Sequence, residues 1–177
     1  MKTLRHRCLH KIKEFTNLGI TRPMTAFIKE NVEKSDLIGV EIGTCRGINA
    51  KNILTNLPIK HLYLIDSYKE MWSKYEDEAK KRLSGYNGMI TVIKKISMDA
   101  VTDIPCDVDF VYIDGNHDYE FVKQDIECYY PKVRTGGIIG GHDFTIRYHG
   151  VARAVIEFAV KYKKELHGIG QDWWIIK

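Results

Sequence analysis

Acidic, imidazole and glycine residues gather in four short clusters: Glu41-Ile42-Gly43-Thr44-Cys45-Arg46-Gly47, Asp66-Ser67, Asp114-Gly115-Asn116-His117 and His142-Asp143. In the first, Gly43 and Gly47 allow a tight turn and a close backbone approach to a ligand, and a helix starting after them presents free N–H groups to it. The spacing is GxxxG, which disfavours a dinucleotide pyrophosphate, and without Gly-Lys-Ser/Thr it is not a phosphate loop. An acid immediately before the loop suits an amino group or a sulfonium rather than a phosphate. Asp66, roughly 20 residues beyond the glycines, stands where a carboxylate accepts two hydrogen bonds from a ribose diol, or alternatively caps the next helix. His117 and His142 are candidate bases, with His142 preferred, since imidazole titrates nearest neutrality. Asp114 and Asp143 can share one hard divalent cation such as Mg²⁺, which would bind acceptor oxygens and acidify a hydroxyl.

Each cluster follows an apolar run that reads as a buried strand: Leu37 to Ile42, His61 to Ile65, Val108 to Ile113 and Ile138 to Gly141, with Met89 to Ile93 as a further strand. Helical periodicity covers residues 3 to 17, the run from Pro23 through Val32, Ile48 to Leu57, Lys69 to Leu83, Tyr119 to Tyr130 and Val151 to Tyr162. Glu165 to Gly168 and Asp172 to Ile176 read as closing strands, with the consecutive Trp173 and Trp174 pointing to opposite faces. Strand and helix in alternation predict an α/β fold. It is Rossmann-like and doubly wound, a mostly parallel seven-stranded sheet with helices on both faces and an antiparallel last strand. Ligands of such sheets sit beyond the carboxyl ends of the strands at the switch point, where all four clusters fall.

A chain of 177 residues with 44% hydrophobic and 28% charged residues fits one soluble domain and excludes disordered and fibrous classes. Lys2, Arg5, Arg7, Lys11 and Lys13 against Glu14 account for the whole net charge of +4, so the rest of the chain is neutral. A neutral body disfavours a nucleic-acid surface. The four cysteines form no CxxC pair, no apolar run is long enough to span a bilayer, and no secretory h-region is present. These features predict a cytoplasmic protein with no membrane partner. Residues 1–35 read as a helical extension, a cap or a contact in a homo-oligomer, and residues 36–177 as the ligand-binding domain.

The ordered set of motifs resembles the class I S-adenosyl-L-methionine (SAM)-dependent methyltransferases, in particular the methyltransferase domain type 24-like group. It comprises Val40-Glu41-Ile42-Gly43-Thr44-Cys45-Arg46-Gly47, Leu64-Ile65-Asp66, Ser97-Met98-Asp99-Ala100, Tyr112-Ile113-Asp114-Gly115-Asn116-His117-Asp118-Tyr119, Gly136-Gly137-Ile138-Ile139-Gly140-Gly141-His142-Asp143-Phe144, and Gly150 to Val155 with the closing Trp173 to Lys177. The resemblance implies a methyltransferase that uses SAM on a small-molecule acceptor, at a hydroxyl oxygen. It implies that Glu41 meets the methionine end of the cofactor and that Gly43, Thr44, Cys45 and Gly47 line it. Asp66 and Ser67 would hold the ribose, Ser97 and Met98 would border the adenine, and Asp114 would face the methyl. The transfer site would be Asp114, His117, His142 and Asp143, with Asp114 and Asp143 as metal ligands where Mg²⁺ is used. Ile96 stands where a glycine often precedes the serine, and Phe144 where an oxygen ligand is often found. Two other readings stay open: a SAM-binding hydroxylase-like or non-catalytic protein, and an RNA-associated methyltransferase, against which the missing Asn/Asp-Pro-Pro-Tyr/Phe motif counts.

Overall fold

The computed structural model describes residues 21–69 and 73–177, so the helix expected over residues 3 to 17 lies outside the described residues. Seven strands form one sheet: β1 (Leu37–Ile42), β2 (Ile59–Ile65), β3 (Ile90–Ile93), β4 (Val108–Ile113), β5 (Val133–Gly141), β6 (His167–Ile169) and β7 (Asp172–Ile176). Their spatial order is β3-β2-β1-β4-β5-β7-β6. β1 to β5 run parallel, and β7 lies antiparallel between β5 and β6. The expected doubly wound sheet is therefore present, with its switch point between β1 and β4. Both central strands are apolar along almost their whole length because helices cover both faces, and every residue of β4 is buried.

Among the described residues six helices flank the sheet: α1 (Pro23–Asn31), α2 (Ile48–Asn56), α3 (Ser73–Leu83), α4 (Ser97–Ala100), α5 (Tyr119–Tyr129) and α6 (His149–Tyr162). On one face Met24 and Ile28 of α1, Ala50 and Ile53 of α2 and Leu83 of α3 pack with Leu62, Leu64, Phe110, Tyr112 and Trp174. On the other, Val122, Ile126 and Tyr129 of α5 and Val151, Val155 and Phe158 of α6 pack with Val40, Val111, Ile139 and Trp173. Adjacent Trp173 and Trp174 thus point to opposite faces, as strand alternation requires. α1 shares the main core, since Met24 and Ile28 are fully buried against the sheet.

Three strands start two or more residues away from the sequence reading. β2 starts at Ile59 rather than His61. β5 starts at Val133 rather than Ile138, because Gly136 adopts a φ of +72° and the pairing with β4 shifts between Val108 and Phe110. That irregularity lets the chain resume the strand after a Thr-Gly-Gly segment that reads locally as a turn. The closing hairpin takes His167 to Ile169 as its first strand, in place of Glu165 to Gly168. Among the described residues no helix is long and apolar enough to cross a membrane.

Candidate functional site

The Glu41–Gly47 loop leaves β1 at the switch point and enters α2. Gly43 has φ +87°, and a Cβ there would stand 2.1 Å from the Asp114 carbonyl oxygen, so glycine alone lets the ends of β1 and β4 close together. Cys45 at φ +48° and Gly47 at φ +69° complete a left-handed path that delivers the chain to the first turn of α2. Asp66 joins this loop: Oδ2 accepts from the Cys45 backbone N–H at 2.8 Å, and Oδ1 accepts from the Tyr68 N–H at 2.9 Å. Half-buried Ser67 lies between these two anchors. The Cys45 thiol is pushed up to about 11 by burial and by Asp66, so it is no nucleophile at neutral pH.

Glu41 is 1% exposed at the base of the loop. One carboxylate oxygen accepts from Asn49 Nδ2 at 2.9 Å, while the other, Oε2, is buried with no well-formed hydrogen bond, the nearby Thr44 hydroxyl giving its charge only partial support. Burial dominates and raises the carboxyl to about 8 in spite of Asn49. A buried carboxyl with an open oxygen is a receptor for a cationic donor such as an ammonium group.

Beyond β4 and β5 a second cluster forms. Asp143 adopts φ +61°, which turns its carboxylate back towards the end of β4. His117 Nε2 lies 2.8 Å from Asp143 Oδ2 and 3.8 Å from Asp114 Oδ1. His142 Nδ1 lies 3.2 Å from Asp143 Oδ1, and its Nε2 lies 3.9 Å from Asp172 Oδ1. Both nitrogens of His142 thus face protein carboxylates, and its side chain is 12% exposed against 34% for His117. Burial opposes the charge of His117, but Asp114 and Asp143 outweigh it and hold the imidazolium to about 9. The same contacts with His117 and His142 keep Asp143 well below the usual carboxylate range. Tyr148, from the turn before α6, lies over the His117 ring at 4.5 Å between centroids.

Ser97 and Met98 open α4 beside β3. Ser97 is half-buried and Met98 is 36% exposed. The Ser97 carbonyl accepts from the Tyr129 hydroxyl at 2.7 Å, and Asp125, buried on the same helix α5, is raised to about 6 by burial while the Ser97 side chain opposes the shift. Asp125 thus braces the start of α4 from α5.

Three further residues escaped the sequence reading. Arg22 precedes α1 and reaches under the site: Nη1 donates to the Tyr112 hydroxyl at 2.9 Å, and its guanidinium lies 3.8 Å from Asp114 Oδ2 and 3.6 Å from Asp172 Oδ1. The Tyr112 hydroxyl donates in turn to Asp172 Oδ1 at 3.0 Å. Arg22 is the one buried cation among the described residues, and its charge survives because Tyr112, Asp114 and Asp172 outweigh the cost of burial. The signal was an arginine between two helical runs, which by type and position reads as surface.

With this geometry in place, comparison with known proteins is informative. Residues 40–144 match the profile of the family described as "Methyltransferase domain", type 24, and the chain belongs to that family. It is 33% identical over 120 residues to the uncharacterized protein R132 of Acanthamoeba polyphaga mimivirus, covering 63% of this chain and 53% of R132. It is 25% identical over 158 residues to the uncharacterized protein y4gI of Sinorhizobium fredii, covering 76% of this chain and 17% of y4gI. The chain thus spans about half or less of the length of these curated relatives. An O-methyltransferase from Bacillus cereus, solved in complex with SAH (S-adenosylhomocysteine), has the same fold at a TM-score of 0.70 and 15% identity, covering 96% of this chain and 90% of that one. The fold is that of the class I SAM-dependent methyltransferases.

Proposed function

We propose that the protein transfers the methyl group of SAM to a hydroxyl oxygen of a small molecule. The observation that carries the reading is the pairing, across one switch point, of a glycine loop over the open carboxyl of Glu41 with the Asp114, His117, His142 and Asp143 cluster. Glu41 receives the amino group of the methionine end, Gly43, Thr44, Cys45 and Gly47 supply the backbone beside it, and Asp66 with Ser67 meets the ribose. Ser97 and Met98 border the adenine, and Asp114 stands at the methyl. In-line transfer from a sulfonium needs mainly alignment, plus removal of the acceptor proton. His117 is the more exposed of the two histidines, so it is the one an acceptor reaches and the residue assigned to that proton. Held protonated to about pH 9, it becomes a base only as pH rises.

The donor set fits a divalent cation. One ligand atom each from Asp114, His117 and Asp143 lies within 4.8 Å of the others, with both carboxylates gathered on the His117 Nε2. Bound there in place of the proton on His117, Mg²⁺ or a similar ion would hold acceptor oxygens and lower a hydroxyl's pKa, taking over from that imidazole the activation of the acceptor. Such binding requires the neutral imidazole, so cation affinity rises with pH.

Thermal melting with SAM, SAH, NAD and buffer tests the cofactor. A ligand at about 100 times its Kd adds about 2.7 kcal/mol. A shift with NAD and none with SAM or SAH would reject the reading. SAH release from SAM across a panel of hydroxylated small molecules, with Mg²⁺ or with chelator, then tests the acceptor and the cation.

A further inference from the structure

Arg22 lies outside the matched family segment and behind the transfer cluster, and the guanidinium is fixed from three directions. Nη1 donates to the Tyr112 hydroxyl, Nη2 faces Asp114 Oδ2 at 3.8 Å, and Asp172 Oδ1 lies 3.6 Å from Nη1. Its backbone is fixed as well: the Arg22 N–H donates to Asn52 Oδ1 of α2, and the Met24 N–H donates to Asp172 Oδ2. A planar fork locked in this way presents a directed charge to Asp114, which a flexible lysine would not. Asp114 is the half-buried member that faces both this fork and the His117 ring.

We propose that Arg22 is a positioning residue of the transfer site, clamping Asp114 from behind with Tyr112 and Asp172 so that its other oxygen is aimed at His117. The proposal rests on the reading of Asp114 and His117 given above. The clamp makes the segment before α1 part of the machinery of transfer.

The test uses the full chain and reads the ¹⁵N resonances of the His117 imidazole at one fixed pH, with Tm alongside. Arg22→Met leaves the buried Asp172 without its guanidinium partner, and its Tm drops sharply. The double variant Arg22→Met/Asp172→Asn removes both charges and recovers most of that Tm. If the clamp positions Asp114, the double variant still shows displaced His117 resonances, moved in the direction produced by Asp114→Asn. Tyr112→Phe, which keeps every charge, moves them the same way by less, and Arg22→Lys fails to restore them fully. For an acceptor that the wild type methylates, kcat falls by about a hundredfold while the KM for SAM holds, the scale expected of a misplaced group. Wild-type His117 resonances in the folded variants would overturn the proposal and leave Arg22 a purely structural residue. If the wild type fails to bind SAH, the methyltransferase reading fails, while the imidazole signal still decides whether Arg22 positions Asp114.

Discussion

Replacing Glu41 with Gln separates what the carboxyl does for the cofactor from what it costs the fold. The group titrates at about 8 in the folded protein against an ordinary value of 4.5. Between those values the folded state keeps a proton that the unfolded state has released, so stability falls as pH rises from 4.5 to 8 and stays reduced above. At about 1.36 kcal/mol per pKa unit, the penalty at pH 8 and above is on the order of 4 kcal/mol. Glu41→Gln keeps an oxygen to accept from Asn49 and carries no charge, so the cofactor-free variant is more stable than the wild type at pH 8, with little difference at pH 5. For a chain of this size the gap corresponds to a Tm difference of roughly 10 °C. His117 also makes stability fall with pH, since its folded value is raised from 6.5 to about 9, but that slope is common to both proteins and cancels in the difference. SAH then reverses the order, raising the wild type's Tm and leaving the variant's in place. The assay is a melting series from pH 5 to 9 with and without SAH. Parallel curves for wild type and Glu41→Gln would refute the buried-carboxyl argument, and an equal SAH shift in both would refute the role of Glu41 in holding the amino group.

Other expectations follow from the same geometry. Gly43→Ala places a methyl 2.1 Å from the Asp114 carbonyl at a φ of +87°, so urea titration should show a loss of about 3 kcal/mol or more together with lost SAH binding. Asp143→Asn keeps the left-handed backbone that Asn tolerates, so the variant folds while methyl transfer and Mn²⁺ binding, read by electron paramagnetic resonance, are lost. Asp143 is depressed by its histidine partners, so the stability it adds is present above the ordinary carboxylate value of 3.8 and disappears as pH falls through the lower folded value, a slope absent from Asp143→Asn in acid melts. His117→Asn removes the fall in stability between pH 6.5 and about 9 that remains in Glu41→Gln, visible by differential scanning calorimetry.

Periodic apolar runs made the sheet legible: β1 and β4 read as buried strands because both of their faces are covered, and the polar residue at each strand end announced the site. The Gly136-Gly137 segment was not legible as strand, since its local chemistry is that of a turn and only pairing with β4 extends β5 back to Val133. Glu41, Asp66, Asp114, His117, His142 and Asp143 could be named from type and position, and the structure brings all six to one end of the sheet. Their partnerships could not be named. Asp66 binds the loop backbone through the φ of Cys45, and Asp143 reaches His117 through its own left-handed backbone, both conformations with no signature in single residue types. Arg22 and Asp172 were hidden because their contact spans nearly the whole chain and neither lies in a motif.

The bond from the Met24 N–H to Asp172 joins residues 148 positions apart, and the strand that supplies Asp172 is inserted between β5 and β6. During synthesis, therefore, the start of α1 waits for almost everything else: until β7 emerges, Arg22 has no Asp172 to share its charge and Trp174 is not there to back Met24. Loop closure over such a distance is the slow kind of event in folding. A ribosome-held chain ending before residue 172 should keep α1 undocked and open to protease, and its docking marks the moment at which the molecule closes.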